Sequence, residues 1–225
     1  NNQNIGKNYL IYIFTGGKKM KKEYIETSGW DAITRAFEKL YPEQTDPLHY
    51  APIISWRLGG EDPLDGISVY DGGEYYHFVT YGLSELYDKE SEDFDYSGYG
   101  FELTLKLKKS SLKNKEEELN CICGILQTLG RITFENGDIF QPFEYIYTGQ
   151  KTGMDSKSIS NITGFVTVPD EVGEINTPNG LLQFVQLVGM TDAELKAIVD
   201  KKNTVEEMIE KLGHTLTDFK RKSLV

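Results

Sequence analysis

Apolar and polar residues alternate strictly along Phe101-Glu102-Leu103-Thr104-Leu105-Lys106-Leu107-Lys108. Successive side chains of a strand point to opposite faces, so the apolar residues share one face and Glu102, Thr104, Lys106 and Lys108 share the other. The pattern predicts a half-buried strand with one wet face. Ile67–Tyr70 and Tyr75–Tyr81 flank Asp71-Gly72-Gly73-Glu74 and predict a β-hairpin. Ile53–Leu58, Ile162–Val168 and Leu181–Val188 are further strand candidates, the last entered through the turn Thr177-Pro178-Asn179-Gly180. A helical period replaces the alternation at Trp30, Ile33, Phe37, Leu40 and Tyr41. A capping box at Ser28-Gly29-Trp30-Asp31 opens that helix, and Pro42 follows its end. The longest helix runs from Lys115 to Arg131, with Leu119, Ile122, Leu126 and Leu129 as its stripe and Gly130 near its end. Phe134 to Gly149 reads as strand and loop. Capping boxes at Thr191–Glu194 and Thr204–Glu207 open two short helices, the second ended by Gly213. The last dozen residues, anchored by Leu216, Phe219 and Leu224, form a candidate strand.

No repeat or Pro/Ser-rich linker divides the 225 residues, so residues 1–24 read as an extension and 25–225 as one domain. A hydrophobic fraction of 39% with 26% charged residues is that of a globular chain. The net charge of −11 and pI near 4.8 disfavour nucleic acid and suit a basic protein partner. Membrane spans need about 18 apolar residues, and no run approaches that. The lysine cluster Lys18, Lys19, Lys21 and Lys22 follows Tyr9–Phe14 rather than leading it, unlike in a secretory leader. Met20 could serve as an internal start. Cys121 and Cys123 are too close for a disulfide and too few for zinc, which points to a reducing, cytoplasmic setting.

The chemical candidates are sparse. Asp62 and Asp65 flank Pro63-Leu64 and could do acid–base work or hold a metal, or could cap a Pro/Gly turn. His49, His77 and His214 lack metal-ligand spacing. An enzymatic alternative would be a metal-assisted or acid–base hydrolase using Asp62, Asp65, His49 and His77. Ser97-Gly98-Tyr99-Gly100 lacks the lysine of a phosphate loop and reads as the turn into the 101–108 strand. No nucleophile elbow or dinucleotide fingerprint occurs, so neither catalysis nor a cofactor or metal is expected. Residues 85–95 carry Glu85, Asp88, Glu90, Glu92, Asp93 and Asp95 and read as an acidic surface loop. With an adjacent sheet edge, such a loop could select a basic or His-containing peptide added as a strand. It could equally blunt the edge with charge.

Several blocks resemble the suppressor-of-fused family. They are Gly29–Ile33, Leu40-Tyr41-Pro42, Asp46–Tyr50, Arg57–Tyr70, Tyr76–Tyr87, Ser97–Thr104, Thr177–Gly180, Phe184–Gly189, and Thr217-Asp218-Phe219 with Arg221. They run in colinear order from about residue 29 to the end. The resemblance implies an α+β domain in which a mixed, mostly antiparallel sheet is packed with helices, and no enzymatic activity. Gly59, Gly60, Asp62, Pro63, Leu64, Asp65, Gly98 and Gly100 are then structural signature positions. Animal members clamp an extended peptide of a transcription factor between two domains, and this chain corresponds to the N-terminal one. The nearest counterparts of their ligand-contacting acid are Asp93 and Asp95, so Asp88, Glu90, Glu92, Asp93, Asp95 and Tyr96 become the candidate partner-binding residues. A short acidic chain is similar to the bacterial single-domain branch, for which an immunity role against toxin domains is expected. A regulator that sequesters a short peptide of an endogenous partner is the alternative.

Overall fold

A computed structural model of the chain describes residues 9–12, 22–54, 56 and 59–225. Strands β1 (Tyr9–Tyr12) and β2 (Lys22–Ile25) pair antiparallel as a separate ribbon, and the rest of residues 1–21 lies outside the described residues. The main sheet contains β3 (Leu48–Tyr50), β4 (Gly66–Asp71), β5 (Tyr75–Tyr81), β6 (Tyr96–Lys108), β7 (Tyr145–Ile146), β8 (Ile162–Thr177) and β9 (Gly180–Thr191). Its order is β3-β4-β5-β6-β9-β8-β7, with β6 and β9 parallel and every other neighbouring pair antiparallel. The expected mixed, mostly antiparallel sheet packed with helices is the fold observed.

Both faces of this sheet are covered. On one face, Leu103 and Leu105 of β6 join Phe78, Val185 and Leu187 beneath α2 (Lys115–Asn136), which contributes Leu119, Ile122, Leu126 and Leu129. Each fully buried side chain of this size stabilises the fold by about 1.5–3 kcal/mol. On the opposite face, α1 (Ser28–Leu40) lays Ile33 and Phe37 on Tyr70, Val79, Tyr81 and Phe184. Helices α3 (Asp192–Val199) and α4 (Val205–Leu212) cover Val166, Val168, Val188 and Met190 on that same side.

The face of β6 expected to be wet is therefore inside. Glu102 and Thr104 are fully buried and Lys106 is 6% exposed. The alternating pattern of β6 reflects two chemically different interiors, because the strand is central and helices pack on both sides. His77, Lys106, Thr104 and Gln186 form a polar stripe across β5, β6 and β9, between the α1 cluster and the α3–α4 cluster. The register of β8 slips between Pro169 and Glu174, and this bulge supplies the missing partners. Asp170 Oδ2 accepts from Thr104 Oγ1 at 2.7 Å and lies 2.9 Å from His77 Nε2. Lys106 Nζ meets Glu171 at 2.7 Å. A carboxylate only accepts, so Nε2 carries the proton, and Nδ1 lies 2.8 Å from the Tyr41 hydroxyl.

Other differences are local. The helix at 28 starts after Thr27, whose side chain makes no cap bond, so the Ser28 capping box is not formed. Helix α2 runs one more turn than expected and ends at Gly137 in the left-handed conformation, which leaves Gly130 inside it. The capping boxes at Thr191–Glu194 and Thr204–Glu207 both form, and Gly213 ends α4. The described residues of Ile53–Leu58 carry no strand, with residues 55, 57 and 58 outside the description. The C-terminal segment makes one bridge, Thr217 to Leu107, instead of a strand, since Asp218 pairs with Lys108 and Arg221 with Glu194.

Asp170→Ala should cost about 3 kcal/mol in urea unfolding, because it orphans buried donors of His77 and Thr104. Burial pushes the Asp170 carboxyl up, but the His77 hydrogen bond and charge, with Lys106, outweigh it and hold the value at about 2. The unfolded chain then binds more protons between that value and an ordinary carboxyl's 3.8. The stabilisation is complete above this window and is lost as pH falls through it. Wild type should lose stability relative to Asp170→Asn on acidification from pH 4 to 2.

Candidate functional site

The acidic loop follows β5 and leads into β6. Its exposed charges are Asp88, Glu90, Glu92, Asp93 and Asp95, and Tyr96 is 48% exposed. All six candidate residues are thus exposed along this loop and the first position of β6. Phe94 stands among them at 81% exposure and is the largest apolar group the loop offers. An apolar residue inside Glu92-Asp93-Phe94-Asp95 was the available sequence signal for it.

Glu85 has a different role from its acidic neighbours. Its Oε1 accepts from the backbone N–H groups of Glu90 at 2.7 Å and Ser91 at 2.6 Å. Its Oε2 accepts from Lys89 Nζ at 2.8 Å and Gly98 N–H at 3.1 Å. Burial pushes its carboxyl up, but these donors outweigh burial and hold it below the ordinary range. Asp93 Oδ1 closes the next turn by accepting from Asp95 N–H at 2.9 Å and Tyr96 N–H at 3.3 Å. The loop is closed around a carboxylate.

Three other parts of the chain brace it. Trp30 N–H at the start of α1 donates to Leu86 O at 3.0 Å, and a Cβ on Gly29 would collide with Glu85 O. Asn179 Nδ2, from the β8–β9 turn, donates to both Glu85 O and Tyr87 O at 2.8 Å. Gly98 adopts φ +58°, and a side chain there would press on Leu83 O, so the entry to β6 requires glycine. Beneath the loop, Glu102 accepts from Thr80 Oγ1 at 2.6 Å, from Gly82 and Ser84 N–H at 2.9 Å, and from Ser84 Oγ at 2.7 Å. Burial pushes the Glu102 carboxyl up to about 7 despite these donors. Sequence reading placed Glu102 in water and missed this role.

Beside the loop lies a cavity of about 320 Å³, walled by Trp56, Tyr99 and Phe134 and bordered by Asp65, Glu85 and Glu90. Of the signature positions, Pro63, Asp65 and Gly98 line it. Leu64 is fully buried, and its backbone N–H and carbonyl both bond to the Gln127 side chain on α2, at 3.1 and 3.2 Å. Asp62 lies 3.3 Å from Arg131, Asp65 N–H donates to Tyr81 O at 2.9 Å, and Pro63 lines the cavity. Gly59 and Gly60 precede this segment, and Gly100 packs near the Tyr96 ring.

The residues of the hydrolase alternative are not assembled. His49 Nδ1 bonds Ser68 Oγ at 3.0 Å on the β3 edge, His77 is sealed against Asp170, and Asp62 pairs with Arg131. Among the described residues, no group of three or more His, Cys, Asp or Glu is placed to hold a metal ion. No helix among them is long and apolar enough to cross a membrane.

A model of the family described as Suppressor of fused protein (SUFU) matches residues 60–222. The curated Suppressor of fused homologs of Homo sapiens and Mus musculus are each 29% identical over 180 residues. That alignment covers 74% of this chain and 36% of theirs, so the chain spans about a third of their length. Among solved structures, a chain of the Sufu-Fu complex superposes with a TM-score of 0.74 at 26% identity, covering 88% of this chain and 92% of that one. Drosophila Suppressor of Fused gives 0.74 at 27% identity, over 88% of this chain and 51% of that one.

Glu102→Gln isolates the carboxyl under the loop. The folded state holds its proton up to about 7, whereas an ordinary Glu releases it near 4.5. The folded state therefore binds more protons in that window, and this group's contribution to stability falls as pH rises through it. Denaturant unfolding at pH 5, 6, 7 and 8 should show that decline in wild type and a flatter profile in Glu102→Gln.

Proposed function

The chain belongs to the Suppressor of fused family, and from that premise we propose that it is a non-catalytic protein-binding module whose contact surface is the acidic loop. The observation that carries this reading is the loop's combination of exposure and order. Exposed carboxylates and Phe94 are presented on a backbone already closed around Glu85 and braced by Gly29, Trp30 and Asn179. A pre-ordered loop avoids much of the entropy cost of binding, and an exposed aromatic residue provides an anchor. That a solved relative is a Sufu-Fu complex supports a protein as the partner.

The biological use we propose is that of a cytoplasmic immunity-type protein of bacterial origin that neutralises a toxin domain. Toxins that act on nucleic acid need basic surfaces to hold phosphates. A net charge of −11 complements such a surface and speeds encounter. The unpaired thiols of Cys121 and Cys123 agree with a reducing compartment.

Mixing with a basic toxin domain encoded beside this chain should give a complex by size exclusion and calorimetry. Glu92→Lys/Asp95→Lys, at exposed positions whose side chains close no turn, should lower the association rate constant about tenfold or more at low salt and leave the wild-type fold intact. Absence of binding at micromolar concentration sinks the immunity reading. Binding that is indifferent to the double variant moves the contact surface elsewhere.

A further inference from the structure

A second cavity, of about 420 Å³, opens where β9 passes into α3. Thr163 of β8, Lys151 and Asn161 from the loop before it, and Asp192 and Ala193 from the first turn of α3 line it. Thr163 is only 4% exposed, yet its Oγ1 has no hydrogen-bond partner among the described residues. It occupies the bulge where the register of β8 slips between Ile162 and Gly164. Buried hydroxyls are ordinarily satisfied, and bulges recur beside functional sites. The capping box of α3 satisfies the N–H groups of Thr191 and Glu194, which leaves those of Asp192 and Ala193 without a cap. Asn161 adds an exposed side-chain amide. The Asp192 carboxylate is already engaged by Lys196 at 2.8 Å, the Tyr147 hydroxyl at 2.7 Å and Lys151 at 3.1 Å, which together hold its carboxyl well below the usual carboxylate range. Two ammonium groups therefore stand against its single charge.

We propose that this cavity binds a tetrahedral oxyanion, either free phosphate or the phosphate of a small monoester. The N-terminal end of α3 is the positive end of its dipole, and its open N–H groups point toward an anion placed there. Donors supplied by a strand, a loop and a helix suit a ligand with oxygens on several sides better than a flat carboxylate. A cation would meet Lys151, Lys196 and the same helix end. An apolar ligand would leave the Thr163 hydroxyl and the Asn161 amide dry and unpaired. The volume lies within the range of ligand pockets (~300–1,000 Å³) and leaves room beside the anion for the group that carries it. The lining shares no residue with the acidic loop, so this site stands apart from the partner-binding reading.

The test uses the full chain at fixed ionic strength, starting from phosphate-free buffer. Inorganic phosphate and glycerol 1-phosphate should shift the Asp192 and Ala193 amide signals of a 15N correlation spectrum saturably, and acetate should not. Tighter binding of the ester identifies the monoester as the ligand, equal binding identifies the free ion, and both support the site. Thr163→Val keeps the side chain's shape and removes its hydroxyl. It should weaken phosphate binding about fivefold, the loss of one hydrogen bond, while stability to denaturant without phosphate stays level or rises, because the hydroxyl has no partner to lose. Acetate shifts equal to those of phosphate overturn the proposal in favour of a helix end that attracts any anion. Phosphate binding that Thr163→Val leaves unaltered overturns it in favour of surface charge around Lys151. Shifts that never saturate overturn it outright.

Discussion

The constraint on which this structure depends is that its central strand has two buried faces, one of them polar. Strand β6 sits between β5 and β9 with helices on both sides, so Glu102, Thr104 and Lys106 have no water to turn to. A buried charge without partners is costly, and the rest of the fold is arranged to supply them. The bulge of β8 delivers Asp170 and Glu171, and β5 delivers His77 and Thr80. The turn after β5 folds back so that Gly82 and Ser84 can donate to Glu102. The acidic loop emerges where it does because its first residues are tied to that carboxylate.

The same arrangement explains why separated sequence blocks carry the family resemblance. Gly29-Trp30, Gly82–Tyr87, Ser97–Gly100 and Thr177–Gly180 lie far apart along the chain, yet they meet around the base of one loop. Gly29 allows α1 to approach Glu85, and Asn179 ties two carbonyls of the loop together. Asp62–Asp65 closes the neighbouring wall through Gln127 and Arg131. These residues maintain a scaffold. Among the exposed positions, Asp93 is held by its turn-forming bonds, and the backbone of Glu90 and of Asp95 is tied to Glu85 and to Leu181.

Much of this was legible in the sequence where a local rule decides the outcome. The 67–81 hairpin, the capping boxes at Thr191 and Thr204, and the stripe of α2 all depend on turn chemistry or short-range periodicity. The role of Glu102 was not legible, because alternation in β6 has the same appearance whether its polar side meets water or a buried network. Only the placement of β6 in mid-sheet, with α1 and β8 over that side, separates the two cases. Glu85 was hidden for a related reason, since composition counts it with five exposed acids while three-dimensional contacts turn it inward. The aromatic cavity was out of reach, because Trp56, Tyr99 and Phe134 come from three distant segments.

The division between Glu85 and its neighbours bears on how an acidic surface can be specific. A mobile acidic run attracts any basic protein, and its attraction is screened beyond about 8–10 Å at moderate salt. Fixing the run changes what it can select. With Glu85 consumed as the internal acceptor, Asp93 committed to a turn, and Phe94 held outward, the remaining charges keep defined separations. A partner must then match a pattern of charges around an apolar anchor, and mismatched partners leave carboxylates facing nothing or facing like charge. The structural cost of that order falls on the scaffold, through the bonds from Glu102, Asn179 and Gly98, before any partner arrives. In the binding role proposed for the loop, speed of encounter would come from the net charge and discrimination from the rigidity with which β6 and its buried carboxylate hold the loop.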